Sequence, residues 1–145
     1  AIHLLARQYM RFKTLSGGLK RLSRSKKYLI NWAKKSRSLR QFETKKFLKE
    51  YWENYAVFEE FPVAGTKMTL DFYNSTKKIA VEVQGEQHTK YVPFFHGSSR
   101  GNFASQLRRD EKKSQFCKIN GIKLVEVYPQ DDLNKKLFST QGVHL

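Results

Sequence analysis

The stretch from Ile79 to His88 reads IAVEVQGEQH, an apolar strand with Glu82, Gln84, Glu86 and His88 at every second position. Alternate residues of a strand share a face, so this face carries acids, an amide and an imidazole in a line. Asp71 stands upstream in TLDFY, and the intervening NSTK is a short turn that predicts an antiparallel hairpin. In near register, Asp71 and Glu82 project from neighbouring strands toward one end of the sheet, with Gln84 on the same side. Two carboxylates within a few ångströms repel, and a divalent cation between them relieves the repulsion. Mg²⁺ suits such a site, with Mn²⁺ as its substitute, because it takes one or two carboxylates and completes its shell with water and phosphate. The chemistry implied is phosphodiester hydrolysis by a metal-activated water. A plainer alternative makes both acids solvated strand-face groups matched to lysines. Against it, IAVEV is apolar on both sides of Glu82, as in a strand buried on both faces, where an unpaired acid is costly.

The elements that must position these residues follow from periodicity. Ser38 opens a helix through SLRQFETKKFLKEYWENY, with Leu39, Phe42, Phe47, Leu48, Tyr51, Trp52 and Tyr55 on its apolar face and Glu43 beside it. AVFEEFPV is a strand ended by Pro62. The next has Met68, Leu70 and Phe72 on one side and Thr69, Asp71 and Tyr73 on the other. A polar loop from Gly85 to about Asn102 leads to a basic helix with Phe103, Leu107, Phe116 and Ile119 inward and Gly121 as its stop. IKLVEVY is the last strand, and QDDLNKKLF a closing helix with an acidic N-cap. The order of helix, three strands, helix and strand predicts an α/β layer.

Charge divides the chain. From Ala1 to Phe42 there are twelve Lys or Arg and no acid, whereas the rest has sixteen basic and thirteen acidic residues. The net charge is +15. A basic arm, 1–37, is thus expected beside a nearly neutral domain, 38–145. Leu4, Leu5, Tyr9 and Phe12 have helical spacing, Ser16-Gly17-Gly18 makes a hinge, and the basic run beyond it is a helix or an arm that orders on DNA. Tyr28 and Trp32 either pack or stack on bases. Such asymmetry points to nucleic acid, with an anionic membrane surface or structural RNA as rival partners. At 145 residues one core is expected. The single Cys117 excludes an internal disulfide and a Cys-based zinc site, and its expected role is that of a buried apolar residue. Without an apolar run of about 18 residues or a leader-like N-terminus, the chain reads as soluble and intracellular, in cytoplasm or nucleoid. A beginning at AIHLL without methionine also fits a fragment or a processed product.

Across Leu39 to Tyr128, the helix with Glu43, then TLDFY, EVQGEQH and QLRRDEKKSQFCKINGIKLVEV resemble, in order and motif, the PD-(D/E)XK nuclease superfamily. Within it they are most similar to very-short-patch-repair-like and phage or homing endonucleases. The resemblance implies a restriction-endonuclease-like core with a basic helical N-terminal arm, and a metal-dependent DNA endonuclease. Asp71 and Glu82 would bind Mg²⁺, Glu43 would be the auxiliary acid, and His88 would lie near the scissile phosphate. Gln84 occupies the position of the family's lysine, so either it orients water itself, or a lysine such as Lys113 takes that role, or the site binds DNA without cutting. Duplex DNA is the implied partner, with Lys20, Arg21, Arg24, Lys26, Lys27, Lys34, Lys35, Arg108, Arg109 and Lys112 on its backbone. A homodimer or larger assembly is compatible with cutting both strands. The rival expectation is a non-catalytic DNA-binding or structural protein that keeps the fold. His96 is a weaker candidate than His88.

Overall fold

The computed structural model describes residues 10–85 and 100–145, except for the side chains of 100–103. Two strands, β1 (Met10–Lys13) and β2 (Leu19–Leu22), form an antiparallel hairpin, followed by a single 3-10 turn at Ser25–Tyr28. Helix α1 (Leu39–Trp52) leads to β3 (Val57–Pro62), β4 (Thr69–Asn74) and β5 (Ile79–Val83). Helix α2 (Arg100–Ile119), strand β6 (Lys123–Val127) and helix α3 (Lys135–Ser139) complete the chain. The main sheet has the order β3-β4-β5-β6; its first three strands are antiparallel and β6 runs parallel to β5. A parallel pair needs a crossover, and α2 lies within it. The fold is therefore mixed α/β, with the expected order of helix, three strands, helix and strand.

Each face of the sheet has its own apolar cluster. On one, Leu48 and Trp52 of α1 and Phe138 of α3 meet Val57, Phe72, Val81, Val125 and Val127. On the other, Phe116 and Cys117 of α2 and Phe12 of the hairpin meet Phe58, Phe61, Tyr73 and Ala80. Cys117 is a free, buried thiol, as its isolation in the sequence implies. Phe12 lies with its ring centroid 5.6 Å from both Phe61 and Phe116.

Several local expectations are corrected. The basic arm has no α-helix over its described part: Met10–Phe12 are strand, and Gly17, at φ 95, sits in the hairpin turn where a hinge was expected. Leu4, Leu5 and Tyr9 lie outside the described residues, as do the loop positions Glu86, His88 and His96 and the side chain of Phe103. Tyr28 and Trp32 pack on the two clusters. Leu39 and Leu107 are exposed, and the inward face of α1 includes polar Gln41, Thr44 and Lys45. Leu70 joins the cluster opposite to that of Phe72, so β4 does not keep one apolar side. Asn134, rather than an acid, caps α3, its side chain accepting from the Leu137 N–H at 2.9 Å. Ser38 caps α1 as expected, accepting from the Gln41 N–H. No helix among the described residues is long and apolar enough to cross a membrane.

Candidate active site

Strand register builds the site. One step beyond the Phe72–Val81 pair, Asp71 faces Glu82, and in the parallel ladder Glu82 is the partner of Glu126. On the other side of β4, the pairs Glu59–Phe72 and Phe61–Leu70 leave Glu60 opposite Asp71. Each strand thus contributes one acid to a single row, Glu60, Asp71, Glu82 and Glu126. Glu60 is left-handed at φ 53, a conformation that costs a non-glycine residue on the order of 1 kcal/mol. It shifts the phase of β3, so that Phe58 and Phe61, an odd number of residues apart, reach the same cluster.

Asp71 and Glu82 are 5% and 4% exposed, and each is fixed through the other's strand. The Asp71 N–H donates to Glu82 Oε2 at 2.7 Å, and the Val83 N–H donates to Asp71 Oδ2 at 2.7 Å. The remaining oxygens face cations. Lys113 Nζ of α2 lies 2.6 Å from Glu82 Oε1. Arg37 spans two acids, with Nη2 3.4 Å from Asp71 Oδ1 and Nε 3.4 Å from Glu60 Oε1. The Thr69 hydroxyl donates to Glu60 Oε2 at 3.1 Å. Burial, followed by the charges of Glu82 and Glu60, pushes the Asp71 carboxyl up to about 8, against the opposing pull of the Val83 N–H and Lys113.

A cation placed between the two acids would reverse that upward shift. Asp71 and Glu82 suit Mg²⁺ as a two-carboxylate set, since its shell is otherwise water and phosphate. The Asp71 oxygen best released for it is Oδ1, whose partner Arg37 is at 3.4 Å and has a side chain 71% exposed. Among the described residues no cluster of three or more His, Cys, Asp or Glu forms a metal cage, so a cation here would depend on water and substrate for most of its ligands.

Of the residues expected in the site, the fold brings together Asp71, Glu82 and Lys113. Gln84 is buried beside them, but its amide donates to Glu126 Oε1 at 3.3 Å, and Glu126 also accepts from the Tyr128 hydroxyl at 3.0 Å. Burial and the Glu126 charge push that phenol up to about 12. Glu43 stands apart: it is exposed on α1, 3.9 Å from Arg40, and makes no ion pair or hydrogen bond with the row. The basic residues expected on DNA are exposed, on the hairpin, around the 3-10 turn, ahead of α1 and along α2. Glu60, Arg37 and Glu126 were missed by sequence reasoning. Glu126 was within reach of it, since IKLVEVY repeats the apolar-acid-apolar pattern of IAVEV and lies on the adjacent strand. The position of Glu60 depends on a backbone conformation that no residue type in FEEFP announces.

No family model and no solved structure matches the chain. Over 66 residues, 46% of this chain, it is 42% identical to 43% of Uncharacterized protein 094L of Frog virus 3 (isolate Goorha). It is 36% identical over 73 residues, half of this chain, to 36% of Uncharacterized protein 307L of Invertebrate iridescent virus 6. Uncharacterized protein 033L of Invertebrate iridescent virus 3 is 36% identical over 66 residues, 34% of its own length. The similarity therefore spans less than half of each viral relative.

Proposed function

We propose that this chain is a divalent-metal-dependent DNA endonuclease with a restriction-endonuclease-like core. The observation that carries the proposal is the buried pair Asp71 and Glu82, held rigidly by two backbone N–H groups with Lys113 Nζ 2.6 Å from Glu82. A binding surface for a polyanion gains nothing from two buried acids that repel each other and the phosphate alike. Asp71 and Glu82 would hold Mg²⁺ or Mn²⁺, which supplies an activated water and a counter-charge for the phosphate. Lys113 supplies the cation absent at position 84, balancing negative charge as it develops on the non-bridging oxygens. Gln84, tied to Glu126, fixes the edge of the site and can orient water through its carbonyl. Glu43 has no part in the chemistry in this reading.

The test is cleavage of supercoiled plasmid and of a mixed-sequence DNA pool, with Mg²⁺ or Mn²⁺ against EDTA. The parent should nick or linearise DNA only with metal, and Asp71→Asn and Glu82→Gln should each lose about 10³-fold, roughly 4 kcal/mol of barrier. Absence of cleavage in both substrates under both metals would overturn the proposal. DNA binding that persisted would then favour a non-catalytic binding protein, a reading supported by the ion pairs that Lys113 and Arg37 make with Glu82 and Asp71.

A further inference from the structure

Three elements distant in sequence enclose a cleft of about 380 Å³. Thr14 and Ser16 of the β1–β2 turn, Gly65 and Thr66 of the β3–β4 turn, and Arg109 and Lys112 of α2 line it. The same β3–β4 turn is the wall of a second cleft of about 190 Å³, whose floor is mainly apolar, with Phe12, Leu22, Tyr28 and Val63, and which Lys20 and Arg21 of β2 border. No acid lines either one, among the described residues. Arg109 of the first cleft stands one helical turn before Lys113, an i,i+4 neighbour on the same face of α2, and the Lys113 ammonium rests on Glu82, so the helix links the cleft to the candidate active site.

The walls are fixed to one another. Asn120, just past α2, accepts from the Lys13 N–H at 2.8 Å and donates to the Lys13 carbonyl at 3.0 Å, clipping the hairpin to the helix. At Gly65, φ 82, the backbone is in the region that favours glycine, and an added Cβ would lie 3.3 Å from the Thr14 methyl, a tight contact between the two turns.

We propose that these joined clefts hold the sugar-phosphate backbone of a DNA strand leading to the acid pair, with the hairpin as a clamp whose position is set by Asn120. The cationic side chains of Arg109, Lys112, Lys20 and Arg21 are donors that phosphate oxygens take, and contacts to phosphate carry no base identity, so the clefts set the register of the strand. This rests on the nuclease reading for the direction in which the strand runs, but not for its binding.

The experiment measures the affinity of the full chain for a short duplex in EDTA, where nothing is cut, as a function of salt, and then cleavage with Mg²⁺. Arg109→Ala/Lys112→Ala and Lys20→Ala/Arg21→Ala should each weaken binding at least tenfold and flatten the salt dependence by about one to two phosphate contacts. Lys135→Ala/Lys136→Ala on α3, with equal loss of charge, should change binding less than twofold. Asn120→Ala, which removes the clip but no charge, should weaken binding several-fold without changing the circular dichroism of the fold. Cleft variants that bind like the α3 control overturn the clamp even if the parent cuts DNA. Tighter binding of the parent to anionic vesicles than to DNA overturns it as well. Loss of binding only in the cleft variants supports the clamp even if the parent never cuts, which separates its failure from that of the nuclease reading.

Discussion

Two lysine–carboxylate pairs, each with one buried and one partly buried member, lie on opposite faces of this sheet, both with the ammonium 2.6 Å from the acid. On the α1 face, Lys45 is 1% exposed, pairs with Glu59, and gives its remaining protons to the backbone carbonyls of Asn31 and Lys34. Glu59 also accepts from Ser36 and Gln41, at 2.5 and 2.9 Å. One cation meets one anion there, and every partner is protein; the network clasps the segment before α1 to the sheet. On the α2 face, one lysine pairs with Glu82 while Asp71 and Glu60 lie alongside, bridged by an exposed arginine. Equal distances therefore serve unlike purposes: the first pair is closed, and the second keeps surplus negative charge that an external cation can neutralise.

The largest effect should come from breaking the closed pair. Lys45→Met leaves Glu59 buried without its cation and should cost about 3–5 kcal/mol of stability, measured by urea unfolding. Activity per folded molecule should not change. At the open pair the outcomes reverse, and Lys113→Met should lower metal-dependent cleavage about 100-fold, near 3 kcal/mol of barrier, with a smaller loss of stability. The closed network was hard to read from the sequence, because Gln41, Thr44 and Lys45 make sense as a buried face only beside Glu59 and two carbonyls far along the chain. By residue type, Leu39 and Phe42 looked like that face. The open pair was easier to read: alternation located the strands and a short turn set Asp71 against Glu82, whereas Lys113 came only from the resemblance, as a stand-in for the family's lysine. The hairpin was obscured because each strand has only four residues and Phe12 is the one fully buried side chain it supplies.

Titration sharpens the contrast. A carboxyl raised to about 8 in the fold, from 3.8, binds its proton more tightly when folded. Its contribution to stability is therefore complete below pH 3.8 and is lost as pH rises through about 8. Asp71→Asn should accordingly become more stable relative to the parent by a few kcal/mol between pH 5 and pH 8, as followed by thermal unfolding without metal. Added Mg²⁺ should narrow that difference at pH 8 by stabilising the parent alone. The smallest effect belongs to Glu43→Ala. With an exposed side chain and a 3.9 Å contact to Arg40, it should alter stability by less than about 0.5 kcal/mol and leave cleavage unchanged.

The parallel pairing of β5 with β6 carries a consequence for the order of assembly. Asp71 and Glu82 meet across a local hairpin, a contact that forms in about 1–10 μs, whereas Lys113 arrives only when α2 has docked and the crossover has closed. If the hairpin closes first, the two acids come together before Lys113 reaches them, and their repulsion falls on the folding barrier as well as on the finished protein. Folding of the parent should slow as pH rises from 5 to 8 in stopped-flow refolding, and Asp71→Asn should remove most of that dependence.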